Sequence, residues 1–179
     1  MPLLIYKFIP NGTLCHLIHD FNEEYSRSWD IRLHIAVEVA SAISYLHSFA
    51  STPIYHQDIK SSNILLDEKF RAKVSNFGAS RSIDIDQPHL TTQVLGTFGY
   101  LDLEYFQSTQ FTEKSDVYYF IVIIVELLIR KKEISTFRSQ EKRGLVSYFM
   151  SSVEENHLLD IVDVEIGKDG QSDEVVAVA

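Results

Sequence analysis

The chain opens on an apolar stretch, Leu3-Leu4-Ile5-Tyr6-Lys7-Phe8-Ile9, that stops at Pro10-Asn11-Gly12. Short, aliphatic and aromatic, it predicts a strand entering a turn. Behind Ser28, the expected N-cap, Ile31, Ile35, Val39 and Ile43 recur every fourth residue with Ala36 and Ala40 beside them. That spacing predicts a long helix with a broad apolar face, Trp29 to His47, and Asp30 suits its first turn. Pro53 closes the connection that follows. Two short strands come next, Ile64–Leu66 and Ala72–Val74, separated by the polar turn Asp67-Glu68-Lys69. From Ser75 to Gln110 no periodicity holds, and a loop that long usually carries function. A helix apolar almost all round, from Ser115-Asp116 to about Lys132, then belongs in the middle of the globule. Leu145–Met150 and Leu158–Val162 predict two shorter helical pieces. The last residues, Val175-Val176-Ala177-Val178-Ala179, are apolar and uncapped, so the chain reads as truncated at both ends.

Composition narrows the function classes. The 179 residues are 45% hydrophobic and 23% charged, the balance of a globular protein. The net charge of −9, with Lys and Arg scattered, argues against a surface that tracks nucleic-acid phosphates. Cys15 is the single cysteine, which leaves no internal disulfide and fits a reducing, intracellular setting. Its neighbours His16, His19 and Asp20 have some metal-ligand spacing, but an ordinary surface helix is the better reading. Met1-Pro2 is a poor leader, and the apolar run Val117 to Val125 is too short for a membrane span.

The dense chemical signal is His56-Gln57-Asp58-Ile59-Lys60-Ser61-Ser62-Asn63, followed thirteen residues past Asn63 by Asn76-Phe77-Gly78. Gly96-Thr97-Phe98-Gly99-Tyr100, Asp102-Leu103-Glu104 and Ser115-Asp116-Val117-Tyr118 come after it in order. Together these resemble the C-terminal lobe of a protein kinase. The phrases Phe8-Ile9-Pro10-Asn11-Gly12-Thr13-Leu14, Tyr45-Leu46-His47-Ser48, Ser80-Arg81-Ser82-Ile83 and Phe111-Thr112-Glu113-Lys114 carry a narrower resemblance, to plant wall-associated receptor-like kinases.

The resemblance implies a mainly α (α+β) fold with a central buried helix, short β-strands and no N-lobe. It implies one truncated domain over 1–179, with hinge and C-lobe, catalytic loop 56–63 and activation segment 76–104. The chemistry it implies is phosphoryl transfer, where a protein supplies position and charge. Asp58 would accept the proton of a substrate hydroxyl, and Lys60 would neutralise the γ-phosphate of ATP, as in Ser/Thr kinases. Asn63 and Asn76 stand at the magnesium positions. Leu65 would floor the adenine, and the backbone of Lys7, Phe8 and Ile9 would meet its edge. Thr97 would line the loop that receives the substrate residue, and Thr91 and Thr92 would be phosphorylation sites.

The departures weigh against catalysis. Asn76 replaces the Asp that brings negative charge to magnesium, and hard cations depend on carboxylates. Gln57 replaces the Arg that would pair with a phosphorylated activation segment. Leu103 replaces a Pro, Glu104 is expected to lack its Arg partner, and Tyr119 and Ile121 replace Ser and Gly, adding bulk to the buried helix. The Gly-rich loop and strand Lys have no counterpart in the sequence. The implied function is a wall-associated receptor-kinase-type signalling domain, as a catalytically impaired pseudokinase or truncated kinase. The alternative is a working ATP-dependent Ser/Thr protein kinase. A protein partner or substrate, self-association through uncovered apolar edges, and a cytoplasmic location complete the expectation. Family members are held at the plasma membrane by a segment this sequence lacks.

Overall fold

The computed structural model describes residues 8–19, 28–84, 89–91, 93–94, 96–97, 99–131 and 144–163. In chain order the elements are α1 (Leu14–His19), α2 (Trp29–Ser44), a π-helical turn (Tyr45–Phe49), β1 (Ile54–Tyr55) and a 3-10 turn (Ser61–Asn63). They continue with β2 (Ile64–Leu66), β3 (Ala72–Val74), β4 (Arg81–Ser82), β5 (Leu90–Thr91) and α3 (Leu103–Ser108). The last are β6 (Gln110–Phe111), α4 (Glu113–Ile129), α5 (Leu145–Glu154) and α6 (Leu158–Ile161). This is the mainly helical α+β architecture expected, with strands of two or three residues.

α2 buries Ile35, Ala36, Val39 and Ile43, the face its fourfold spacing predicts, together with Trp29 and Arg32. Arg32 is tolerated in the core because its guanidinium donates to the Leu127 carbonyl at 2.9 Å and meets Asp163 at 2.5 Å. Ser28 occupies the N-cap position in an extended conformation, but its side chain makes no capping hydrogen bond, so the helix start rests on packing of Trp29. The helix widens into the π turn, three residues before the expected end at His47.

α4 begins at Glu113, two residues earlier than expected, where the Thr112 N–H donates to Ser115 Oγ at 3.4 Å. It stops at Ile129 because Arg130 turns left-handed, φ +50°. It packs on α2 and α5, and Tyr119, Val122, Ile123, Val125, Leu127 and Leu128 join one cluster of buried side chains. Burial is not complete: Val117 and Ile121 are each 43% exposed. The bulk of Ile121 therefore faces outward, contrary to the expectation, while Tyr119 is fully buried. No described helix is long and apolar enough to cross a membrane.

β2 and β3 pair antiparallel, Ile64 with Val74 and Leu66 with Ala72. Asp67 shapes their turn by accepting the N–H groups of Lys69 and Arg71 at 2.9 and 3.0 Å. The segment after Pro10 runs beside β2: Asn11 N–H donates to Leu66 O, Leu66 N–H donates to Gly12 O, and Thr13 bridges Leu65. Within the stretch read as one long loop, 75–110, the described residues include β4, β5, α3 and the first residue of β6. β4 pairs with β1 and β5 with β6, while α3 is capped by Asp102 Oδ1. These pairings are too short to register as periodicity, yet they fix both ends of the segment.

Candidate functional site

The 56–63 loop leaves β1 and returns through the 3-10 turn into β2, so its conformation is set from both sides. Asp116, at the start of α4 and fully buried, holds the loop's beginning. One carboxylate oxygen accepts the His56 N–H at 2.8 Å, and the other accepts the Gln57 N–H at 3.0 Å. His47 Nε2 lies 3.0 Å from the first oxygen. Gln57 adopts φ +67°, unusual for a side chain of its size, and these two bonds secure it there. Its own amide is buried and donates to the Ala79 carbonyl at 3.0 Å. A neutral group thus anchors the segment that follows Asn76-Phe77-Gly78.

His56 is buried and braced on both ring nitrogens. Nε2 donates to the Ser75 carbonyl at 2.9 Å, and Nδ1 accepts the Asp58 N–H at 3.3 Å. Phe77 packs edge-on against the ring with centroids 4.8 Å apart. Burial disfavours the charged form and pulls the imidazole below its ordinary value of 6.5, against the Ser75 carbonyl and the Asp116 and Asp58 carboxylates. With Nδ1 accepting and Nε2 donating, the hydrogen bonds around His56 are those of the tautomer protonated on Nε2.

Five polar side chains converge in front of this scaffold. Asp58 Oδ1 accepts the Thr97 hydroxyl at 2.9 Å, and Thr97 Oγ1 in turn accepts Lys60 Nζ at 2.7 Å. Lys60 also meets Asp58 Oδ2 at 3.0 Å. Asn63 Nδ2 donates to Asp58 Oδ2 at 3.0 Å and to the Asp58 carbonyl at 2.7 Å. Asn76, at φ +65°, turns its Nδ2 toward the same cluster, 3.3 Å from Asn63 Oδ1 and 3.5 Å from Asp58 Oδ2. The left-handed backbone suits Asn and Asp alike. Asp58, Lys60, Asn63, Asn76 and Thr97 are thus brought together.

The other expected site residues scatter. Leu65 is half-buried in the middle of β2. Phe8 is 83% exposed, Ile9 is half-buried and neither lies in a strand; Lys7, with the rest of the expected opening strand, falls outside the described residues. Thr91 is exposed on β5, and Thr92 falls outside the described residues. Cys15 and His16 lie on α1 with His19; Asp20 is not among the described residues.

Whether the cluster fits a divalent cation depends on its oxygens. Asp58 already accepts from Thr97, Asn63 and Lys60, with Asn76 at the limit of reach, and Asn63 Oδ1 faces the Asn76 amide nitrogen. The Asp58 carboxylate, paired with Lys60, is the only negative charge among these five side chains. Magnesium asks for carboxylates and an open octahedral shell. The residues present do not fit it.

Behind the loop runs a second polar chain centred on Glu126, which is fully buried in α4. The Tyr100 hydroxyl donates to Glu126 Oε2 at 2.5 Å and lies 3.0 Å from Ser61 Oγ. His19 Nε2 sits 3.3 Å from Glu126 Oε1. Burial, then the Glu126 carboxylate, pushes the Tyr100 phenol far above its usual range, so it remains a donor. In the sequence Ser61 stands out only as part of the 56–63 run and His19 only in the spacing beside Cys15, and nothing there pairs either with Tyr100 or Glu126.

The family model described as protein tyrosine and serine/threonine kinase matches residues 1–159. Among curated proteins, the chain is 57% identical over its whole length to wall-associated receptor kinase-like 4 of Arabidopsis thaliana and covers 24% of that protein. Wall-associated receptor kinase-like 5 and kinase-like 1, from the same plant, are each 53% identical over the full chain and likewise covered to 24%. The chain thus spans about a quarter of the length of these relatives.

Proposed function

The chain belongs to the protein tyrosine and serine/threonine kinase family, and on that premise we propose that it is a catalytically impaired domain of a wall-associated receptor-kinase-type signalling protein. It holds a kinase catalytic loop in shape but does not turn over. The observation that carries this reading is Asn76: an amide donor faces Asp58 and Asn63 where phosphoryl transfer needs a carboxylate and a cation. Kinases of this family use ATP and magnesium. In this chain Leu65, with the backbone of Lys7, Phe8 and Ile9, is the adenine side of the reading.

Its role is then recognition of a protein partner on the cytoplasmic side of a membrane. Thr91 and Thr92 are its phosphorylation sites. Gln57 reaches the Ala79 carbonyl without any charge, so the start of the activation segment is anchored with or without phosphate.

One arrangement favours the second reading, a working Ser/Thr kinase. Asp58, Lys60 and Thr97 form a closed triangle of 2.7–3.0 Å contacts with the geometry to accept a hydroxyl proton and balance a phosphate charge. Radiolabelled ATP with a generic protein substrate, in magnesium or manganese, separates the two. Expected is incorporation no greater than that of Asp58→Asn. Transfer that vanishes in Asp58→Asn overturns the impaired reading.

A further inference from the structure

The Asn76 amide is not merely a missing carboxylate. Its nitrogen lies 3.3 Å from Asn63 Oδ1 and 3.5 Å from Asp58 Oδ2, two oxygens that would be among those available to hold a cation. Its own oxygen lies 3.7 Å from where a Cβ on Gly78 would stand. The orientation is fixed by its neighbours. Asn63 spends both its Nδ2 hydrogens on Asp58, so only its oxygen remains for Asn76. Turning the Asn76 amide over would set oxygen against oxygen at both contacts.

We infer that Asn76 makes this pocket independent of divalent cations, its amide N–H groups bridging Asp58 and Asn63 in the place of the metal. The inference deepens the proposed function and rests on its assignment of the site. It separates two states that a loss of activity alone confuses. An emptied metal site keeps unsatisfied oxygens and responds to a cation. A closed one has the Asn76 amide nitrogen facing Asp58 Oδ2 and Asn63 Oδ1 instead.

The pocket's charge supports the closed state. Asp58 and Lys60 cancel at 3.0 Å, and Asn63 and Asn76 are neutral. A carboxylate at 76 in the same rotamer would place an anionic oxygen against Asp58 Oδ2 and Asn63 Oδ1. That repulsion is relieved by a cation between them. The left-handed backbone tolerates Asp as well as Asn, so Asn76→Asp changes the electrostatics and leaves the turn intact.

The test is thermal melting of the full chain in chelator and in millimolar magnesium, for wild type and Asn76→Asp, with no nucleotide. Wild type is expected to melt at the same temperature in both. Asn76→Asp is expected to melt lower than wild type in chelator and to recover by more than about 3 °C in magnesium, a shift of the size one kcal/mol gives in a chain of this length. Magnesium that raises the wild-type midpoint, or fails to raise that of Asn76→Asp, overturns the inference. Should that variant not fold, manganese decides on wild type alone: the Asn63 and Asn76 side-chain amide resonances stay sharp if the pocket is closed, and their selective broadening overturns it. Neither readout depends on phosphate transfer, so a kinase-positive result and a cation-positive result remain distinct.

Discussion

The Asp116 carboxylate accepts the N–H of Gln57 at 3.0 Å, and the Gln57 backbone is held at φ +67°. The same carboxylate takes the His56 N–H on its other oxygen, so one buried group at the start of α4 sets the entry to the 56–63 loop. The sequence separation is 59 residues. No local turn chemistry would hold a long side chain in that conformation.

Asp116→Ala leaves two buried backbone donors and His47 without this acceptor. At about 1–3 kcal/mol for each unsatisfied buried group, the loss exceeds roughly 3 kcal/mol. Melting should drop accordingly, and hydrogen exchange at His56 and Gln57 should accelerate more than elsewhere. Unchanged protection at those two amides would contradict the role given to Asp116.

Gly96 lies at φ +125°, and a Cβ there would collide with the Tyr119 hydroxyl and come within 3.1 Å of Leu101. Gly96→Ala is expected to cost about 3 kcal/mol from backbone strain and overpacking together. Adding Tyr119→Ser removes the collision but not the strain. A double-mutant cycle should show coupling of about 1 kcal/mol or more; simple additivity would mean the two residues do not press on each other.

Tyr100→Phe deletes the hydroxyl that donates to buried Glu126 and meets Ser61. The expected cost is about 1–3 kcal/mol, read from chemical denaturation. A neutral outcome would indicate that water or His19 takes over the contact at Glu126.

His56 has a folded value below 6.5, so the unfolded chain binds its proton first as pH falls. Stability from this group is full above 6.5 and is lost as pH falls from 6.5 toward the lower folded value, by at most about 1.4 kcal/mol per pH unit. Unfolding free energies at pH 7.5, 6.5 and 5.5 for wild type and His56→Gln isolate the effect, since other titrating groups are common to both. The wild-type decline below 6.5 should be the steeper; parallel profiles would show that His56 charges as easily folded as unfolded.

Asn76, Gln57 and Thr97 show how much of the site was legible beforehand. Their identities and order singled them out as candidates, and around Asp58 the structure gathers Lys60, Asn63, Asn76 and Thr97. What the amides do there was not legible. The sequence reading treated Asn76 as a weakened metal ligand and Gln57 as a lost cation. In the structure each is a donor with named acceptors, and direction in a hydrogen bond depends on neighbours up to 22 residues away.

The sequence by itself determined the elements whose signal is local. The fourfold apolar repeat of α2, the β2–turn–β3 pairing and the uninterrupted apolar run of α4 each satisfy their own backbone hydrogen bonds within or between adjacent segments, so periodicity reveals them. Only the tertiary structure decided the rest. β4, β5 and β6 are two-residue strands that exist because β1 or a neighbouring segment supplies the missing bonds. Ile121 faces solvent and Tyr119 the core because α4 meets α2 and α5 on particular sides, and a helix apolar all round carries no mark of which side that is. The line from His19 through Glu126 and Tyr100 to Ser61 joins four segments of the chain. Each polar group in it was left to find its partner by burial, which no spacing along the sequence encodes.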